Sequence, residues 1–134
     1  MKPVFADTGF FLALLNSRDQ HHRRAVELNG SLAAPLVTTN WVLLEVANAL
    51  SATRSRAVFA QLRDRLRSTP GATILPADEN LFDAGCSLYS SRPDKEWSLT
   101  DCISFVAMSG EELSDALTAD HHFEQAGFHA LMHE

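Results

Sequence analysis

Short apolar or β-branched runs alternate with longer helix-patterned segments along all 134 residues, with no low-complexity linker and no internal repeat between them. That alternation constrains the fold more than any single motif, because strands separated by helices pair in parallel and need helices on both faces of the sheet. Strands are predicted at Val4–Ala6, Leu36–Thr39 and Ala72–Leu75, a fourth at residues 115–118 and a fifth at 128–132. Helical patterns occupy 9–15, 20–28, 41–50, 54–67, 78–89 and 98–108. Asn29-Gly30 reads as the stop of the second helix, and Thr69-Pro70-Gly71 as the break before the third strand. The expected architecture is α/β, a three-layer α/β/α sandwich with a central, mostly parallel sheet, in one domain spanning 1–134.

With 46% hydrophobic and 21% charged residues, a chain of this length buries roughly two-thirds of its unfolded surface, which excludes a disulfide scaffold or a disordered tail. Cys86 and Cys102 lie in helix-patterned segments without C-x-x-C spacing, so a reducing, cytoplasmic setting is expected. The apolar stretch at 4–15 is cut by Asp7 and too short to span a bilayer, and no signal peptide or anchor is expected.

A net charge of -6 argues at first against nucleic acid. The total conceals a division. Residues 1–68 hold nine basic and five acidic side chains, net +4, whereas 69–134 hold two and twelve, net -10. Arg54, Arg56, Arg63, Arg65 and Arg67 crowd one helical segment in which Asp64 is the only acid. That segment is either a solvated helix face or a positive surface for phosphates.

Four acids stand in apolar surroundings. Asp7 follows Val4-Phe5-Ala6 and precedes Thr8-Gly9, at a strand's carboxyl end, and Asp120 closes Ala116-Leu117-Thr118-Ala119 in the same kind of position. Asp101 stands third after Ser98, in what resembles a capping box. Glu45 lies between Trp41-Val42-Leu43-Leu44 and Val46-Ala47 with only Asn48 on its face, which predicts a buried helix, a narrow wetted stripe being the alternative. Taken singly, Asp7, Asp101 and Asp120 are adequate helix caps. Taken together, the four occupy the places that converge at the carboxyl edge of a parallel sheet, where ligands bind. Four carboxylates so gathered repel one another unless a cation joins them, and an oxygen-only donor set suits Mg2+ or Mn2+. Such a site activates water against a phosphodiester.

On these residues the sequence resembles the PIN-domain ribonucleases, most closely the VapC-type toxins of toxin–antitoxin pairs. The resemblance spans essentially the whole chain. It rests on Val4-Phe5-Ala6-Asp7-Thr8-Gly9, on Glu45, on Asp94-Lys95-Glu96-Trp97-Ser98-Leu99-Thr100-Asp101-Cys102-Ile103-Ser104-Phe105, and on Leu117-Thr118-Ala119-Asp120-His121-His122-Phe123 followed by Ala126-Gly127-Phe128. It implies strand order 3-2-1-4-5 and Mg2+- or Mn2+-dependent RNA cleavage. It further implies Asp7, Glu45, Asp101 and Asp120 as the catalytic, metal-binding acids, with Asp7 and Asp101 the first choices as direct ligands and Thr8 and Thr118 as supporting hydroxyls. A homodimer and a small antitoxin partner are implied as well, and the arginines at 54, 56, 63, 65 and 67 become candidates for holding RNA by its phosphates. The alternatives are a stand-alone PIN nuclease in RNA processing and a catalytically silent interaction protein.

Asp7-Thr8-Gly9 also spells the aspartic-protease triplet, but those enzymes are β-rich and here the glycine leads into a helix. The pairs His21-His22 and His121-His122 read as surface histidines rather than a zinc site, since neighbours on a helix point about 100° apart. Trp41, Trp97 and the phenylalanines read as core, with Trp97 alone open as a base-stacking platform.

Overall fold

A computed structural model describes residues 2–133. The elements in chain order are β1 (Val4–Ala6), α1 (Thr8–Leu15), α2 (His22–Ser31), β2 (Leu36–Thr39), α3 (Asn40–Ala49), a 3-10 turn at Thr53–Ser55, α4 (Arg56–Ser68), β3 (Ala72–Leu75), α5 (Glu79–Ser91), α6 (Leu99–Gly110), β4 (Asp115–Leu117), α7 (His121–Gln125) and β5 (His129–Ala130). The five strands form one parallel sheet in the order β3-β2-β1-β4-β5, as expected. Steps from β1 to β3 move outward in one direction, and the connection from β3 to β4 returns across the sheet. Right-handed crossovers therefore leave α1, α2 and α4 on one face and α5 and α6 on the other.

The order reverses between β1 and β4, where Phe5 pairs with Ala116 and Ala6 with Leu117. A crevice opens at such a switch point, beyond the strands' carboxyl ends. Beneath it the core is aromatic. Phe5, Phe10, Phe11 and Phe123 are fully enclosed, and Phe105 meets Phe123 edge-on at 4.9 Å and Trp97 at 5.0 Å. Trp97 thus belongs to the core, its indole nitrogen donating to Gln125 Oε1 at 2.9 Å and the Arg92 guanidinium lying 5.2 Å from its ring centre. No face is left open for a base.

Helix starts follow their caps. Thr39 Oγ1 accepts from the Val42 N–H, Asp78 accepts from Asn80 and Leu81, and Ser98 and Asp101 form the full reciprocal capping box. Gly85 lets α5 lie close on α6, because a Cβ there would run into Ile103 Cγ1.

Two local expectations are corrected. Helix α2 does not stop at Asn29-Gly30 but runs to Ser31, with the Leu32 N–H still bonded to Leu28 O. A helical glycine costs only about 1 kcal/mol, less than the buried anchors Ala25 and Leu28 supply to the same helix. Helix α3 is not enclosed all round. It buries Val42, Leu43 and Val46, leaves Leu44 56% exposed, and holds Glu45 half-buried on the wetted side. Its apolar composition overstates its burial because Leu44 stands on the protein's surface. One turn before Leu44, Trp41 stacks on Phe82, and Phe82 and Tyr89 of α5 are 37% and 52% exposed.

Candidate active site

A cleft of about 420 Å³ lies over the carboxyl ends of β1 and β4, and Asp7, Glu45, Asp101 and Asp120 all line it. Each acid is delivered by local chain logic. Asp7 ends β1 and precedes α1, but its carboxylate makes no capping bond; instead Oδ2 accepts from the Thr118 hydroxyl at 3.0 Å. Thr118 Oγ1 in turn accepts from the Asp120 N–H at 3.0 Å, so one hydroxyl ties the ends of β1 and β4 together. Thr8 donates to Glu45 Oε1 at 2.7 Å, aiming the half-buried α3 carboxylate at the same cleft.

Asp101 and Asp120 serve twice. Asp101 Oδ2 accepts from the Ser98 N–H at 3.2 Å as the capping box requires, and the same oxygen lies 3.1 Å from His122 Nδ1. Asp120 caps α7 by accepting from the His122 N–H at 2.9 Å, while its Oδ1 is 3.4 Å from His122 Nδ1. These two residues therefore cap their helices and line the cleft as well.

Burial pushes the Asp7 carboxyl up to about 7, an effect the Thr8 backbone and the Thr118 hydroxyl offset in part and the charges of Asp101 and Asp120 reinforce. Asp101 is also raised, first by burial and then by Asp120, against the hydrogen bond from His122. No lysine or arginine among the described residues lines the cleft. A cluster of buried and half-buried carboxylates with no lysine or arginine against it is the donor set of a hard divalent cation, so the residues present fit one.

The arginines are placed elsewhere. All five are exposed, along the 3-10 turn and α4. Arg65 edges an apolar groove of about 710 Å³ floored by Phe10, Phe11, Leu28 and Leu62, and Arg63 and Arg67 border a shallower hollow beside Asn40 and Pro76. None lines the acidic cleft.

His122 was missed by the sequence reading, which put both histidine pairs on the surface. The correction follows from helix phase. His121 turns outward, its side chain 66% exposed, and its neighbour, 20% exposed, turns into the cleft. His21, Asp19 and Glu96 line the rim as well. The signal for His122 was its position two residues after Asp120, inside the same short turn.

A PIN domain profile matches residues 4–129. The 23S rRNA-specific endonuclease VapC20 of Mycobacterium tuberculosis is 30% identical over 126 residues, covering 93% of this chain and 95% of that protein. The crystal structure of M. tuberculosis VapC20, described as a sarcin–ricin loop cleaving toxin, superposes with a TM-score of 0.83 at 27% identity, covering 93% of this chain and 95% of the other. FitAcB from Neisseria gonorrhoeae shares the fold, with a TM-score of 0.68 at 19% identity over 95% of this chain and 94% of its own.

Proposed function

Because the chain belongs to the PIN-domain family and is similar along its length to a VapC endonuclease, we propose that it is a single-domain endoribonuclease, the toxin of a toxin–antitoxin pair. One observation carries this reading: Asp7, Glu45, Asp101 and Asp120 meet in one cleft, three of them linked through Thr118 and His122.

The four carboxylates would hold Mg2+ or Mn2+, which when bound neutralises phosphate charge and lowers the pKa of a bound water. The chain's own part is orientation. Thr118 fixes Asp7, Thr8 fixes Glu45, and Ser98 with His122 fixes Asp101, so the acids do not have to reorganise when the substrate arrives. In the hydrolysis an oxygen of water joins phosphorus, one P–O ester bond breaks, and the leaving oxygen takes a proton. The exposed arginines of the 3-10 turn and α4 would hold RNA by its phosphates, outside the cleft.

The apolar groove between α1, α2 and α4, with Arg65 at its edge, would take an amphipathic segment of a small antitoxin. The exposed Leu44, Phe82 and Tyr89, with half-buried Trp41 stacked on Phe82, suit a homodimer contact. No helix of the described residues is long and apolar enough to cross a membrane, in keeping with a cytoplasmic site of action.

The test is cleavage of an end-labelled RNA bearing a 23S rRNA stem-loop, with Mg2+, Mn2+ or chelator, by the wild type and Asp7→Asn. Cutting at internal positions that needs a divalent ion and falls about a hundredfold or more in the variant is expected. Wild-type cleavage by Asp7→Asn would overturn the site assignment, and cleavage in chelator would overturn the cation.

A further inference from the structure

His122 does more than steady Asp101. Its Nδ1 lies 3.1 Å from Asp101 Oδ2 and 3.4 Å from Asp120 Oδ1, one oxygen from each of two carboxylates supplied by α6 and the β4–α7 turn. Two ligands side by side on an octahedral ion with bonds of about 2.1 Å stand about 3.0 Å apart. The nitrogen thus stands from each oxygen at about the spacing of neighbouring ligands on one ion. The ring is held to this place from behind, since the His122 backbone N–H is bonded to Asp120 Oδ1 at 2.9 Å and α7 is anchored by the enclosed Phe123. Asp120, His121 and His122 each offer a ligand atom, all within 4.8 Å of one another, but His121 is largely solvent-exposed and points away from the cleft lining.

Imidazole nitrogen changes which ion the site prefers. Oxygen donors alone suit Mg2+, whereas a nitrogen donor adds affinity for the later first-row ions and gives Mg2+ almost nothing. We propose that His122 is a direct nitrogen ligand of the cation site, through Nδ1 alongside Asp101 and Asp120, and that it makes the site select Mn2+ over Mg2+. This rests on the carboxylate cluster being a cation site at all. Binding of the ion displaces the Nδ1 proton that bridges to Asp101, and the neutral ring with its proton on Nε2 then presents the Nδ1 lone pair to the shared ion, while the second oxygens of Asp101 and Asp120 stay available to water or substrate.

The test uses the full chain and Mn2+ itself. Pulsed electron paramagnetic resonance on the Mn2+-loaded protein reads coupling to a directly bound 14N, and equilibrium titration reads affinity for Mn2+ and Mg2+. Wild type and His121→Asn are expected to show the 14N coupling and His122→Asn to lack it. Mn2+ affinity should fall about tenfold in His122→Asn, with Mg2+ affinity changed less than about twofold. Mn2+ binding without 14N coupling in the wild type, or coupling that survives in His122→Asn, overturns the nitrogen ligand and leaves the carboxylate site standing. Failure of the wild type to bind Mn2+ any better than Asp7→Asn overturns the carboxylate site and His122's role with it.

Discussion

The Thr118 hydroxyl reaches Asp7 Oδ2 at 3.0 Å across 111 positions of sequence, and it is fully enclosed where it does so. The same oxygen accepts the Asp120 N–H, so a single atom sets the spacing of two acids. Thr118→Val keeps the shape and removes both bonds. Loss of about 1 to 3 kcal/mol of stability is expected, together with a 10- to 100-fold weaker cation affinity, while Thr118→Ser stays near wild type. Chemical denaturation and Mn2+ titration read the two effects. Equal behaviour of the valine and serine variants would remove Thr118 from the site.

Stability should depend on pH through Asp7. Its carboxyl is raised from 3.8 to about 7 by burial, so between those values the folded protein holds a proton that the unfolded chain has released. Stability in chelator therefore falls as pH rises from about 4 to 7, by up to about 4 kcal/mol, and levels off above. Asp7→Asn should flatten this slope and be the more stable protein at pH 8 without divalent ions. Saturating Mn2+ should narrow that gap, since it binds the ionised wild-type site and adds about 2.7 kcal/mol at a hundred times its Kd. Parallel slopes for the two proteins in urea unfolding would contradict the prediction.

Gly85 should resist replacement by alanine. In most helices that change gains up to about 1 kcal/mol, but here the new methyl would meet Ile103 at Cγ1 and, at 3.1 Å, at its Cα. A net loss of about 1 to 3 kcal/mol is expected, and adding Ile103→Ala should recover only the side-chain part of the clash in a double-mutant cycle. Because α6 carries Asp101, catalytic rate should fall with stability in Gly85→Ala.

The arginines make a separable prediction. Arg63→Ala and Arg67→Ala should weaken RNA binding and each lower the slope of log affinity against log salt by about 1, leaving the rate at saturating RNA unchanged. A fall in the saturated rate with no change in salt slope would take them out of RNA holding.

How much of this was legible beforehand differs from residue to residue. The parallel sheet, the capping box at Ser98 and Asp101, and the carboxyl-edge positions of Asp7 and Asp120 follow from alternation and cap chemistry, which are local and leave marks in sequence, whereas the strand order came with the resemblance to the PIN-domain family. Glu45 was located correctly in its helix but not in its environment, because apolar neighbours do not say which of them faces solvent; Leu44 does. His122 escaped for the opposite reason. Its neighbour His121 has the same chemistry and points outward, and only the phase of a five-residue helix separates them. The closeness of α5 to α6 at Gly85 leaves no mark beyond one glycine in a helical pattern.

The pairing of β1 with β4 joins the beginning of the chain to a strand more than a hundred positions later, and Asp120 comes later still. A growing polypeptide therefore cannot assemble the four carboxylates until residue 120 and the turn that holds it have left the ribosome. Long-range pairing of this kind slows folding, so the cleft is among the last parts of the fold to close.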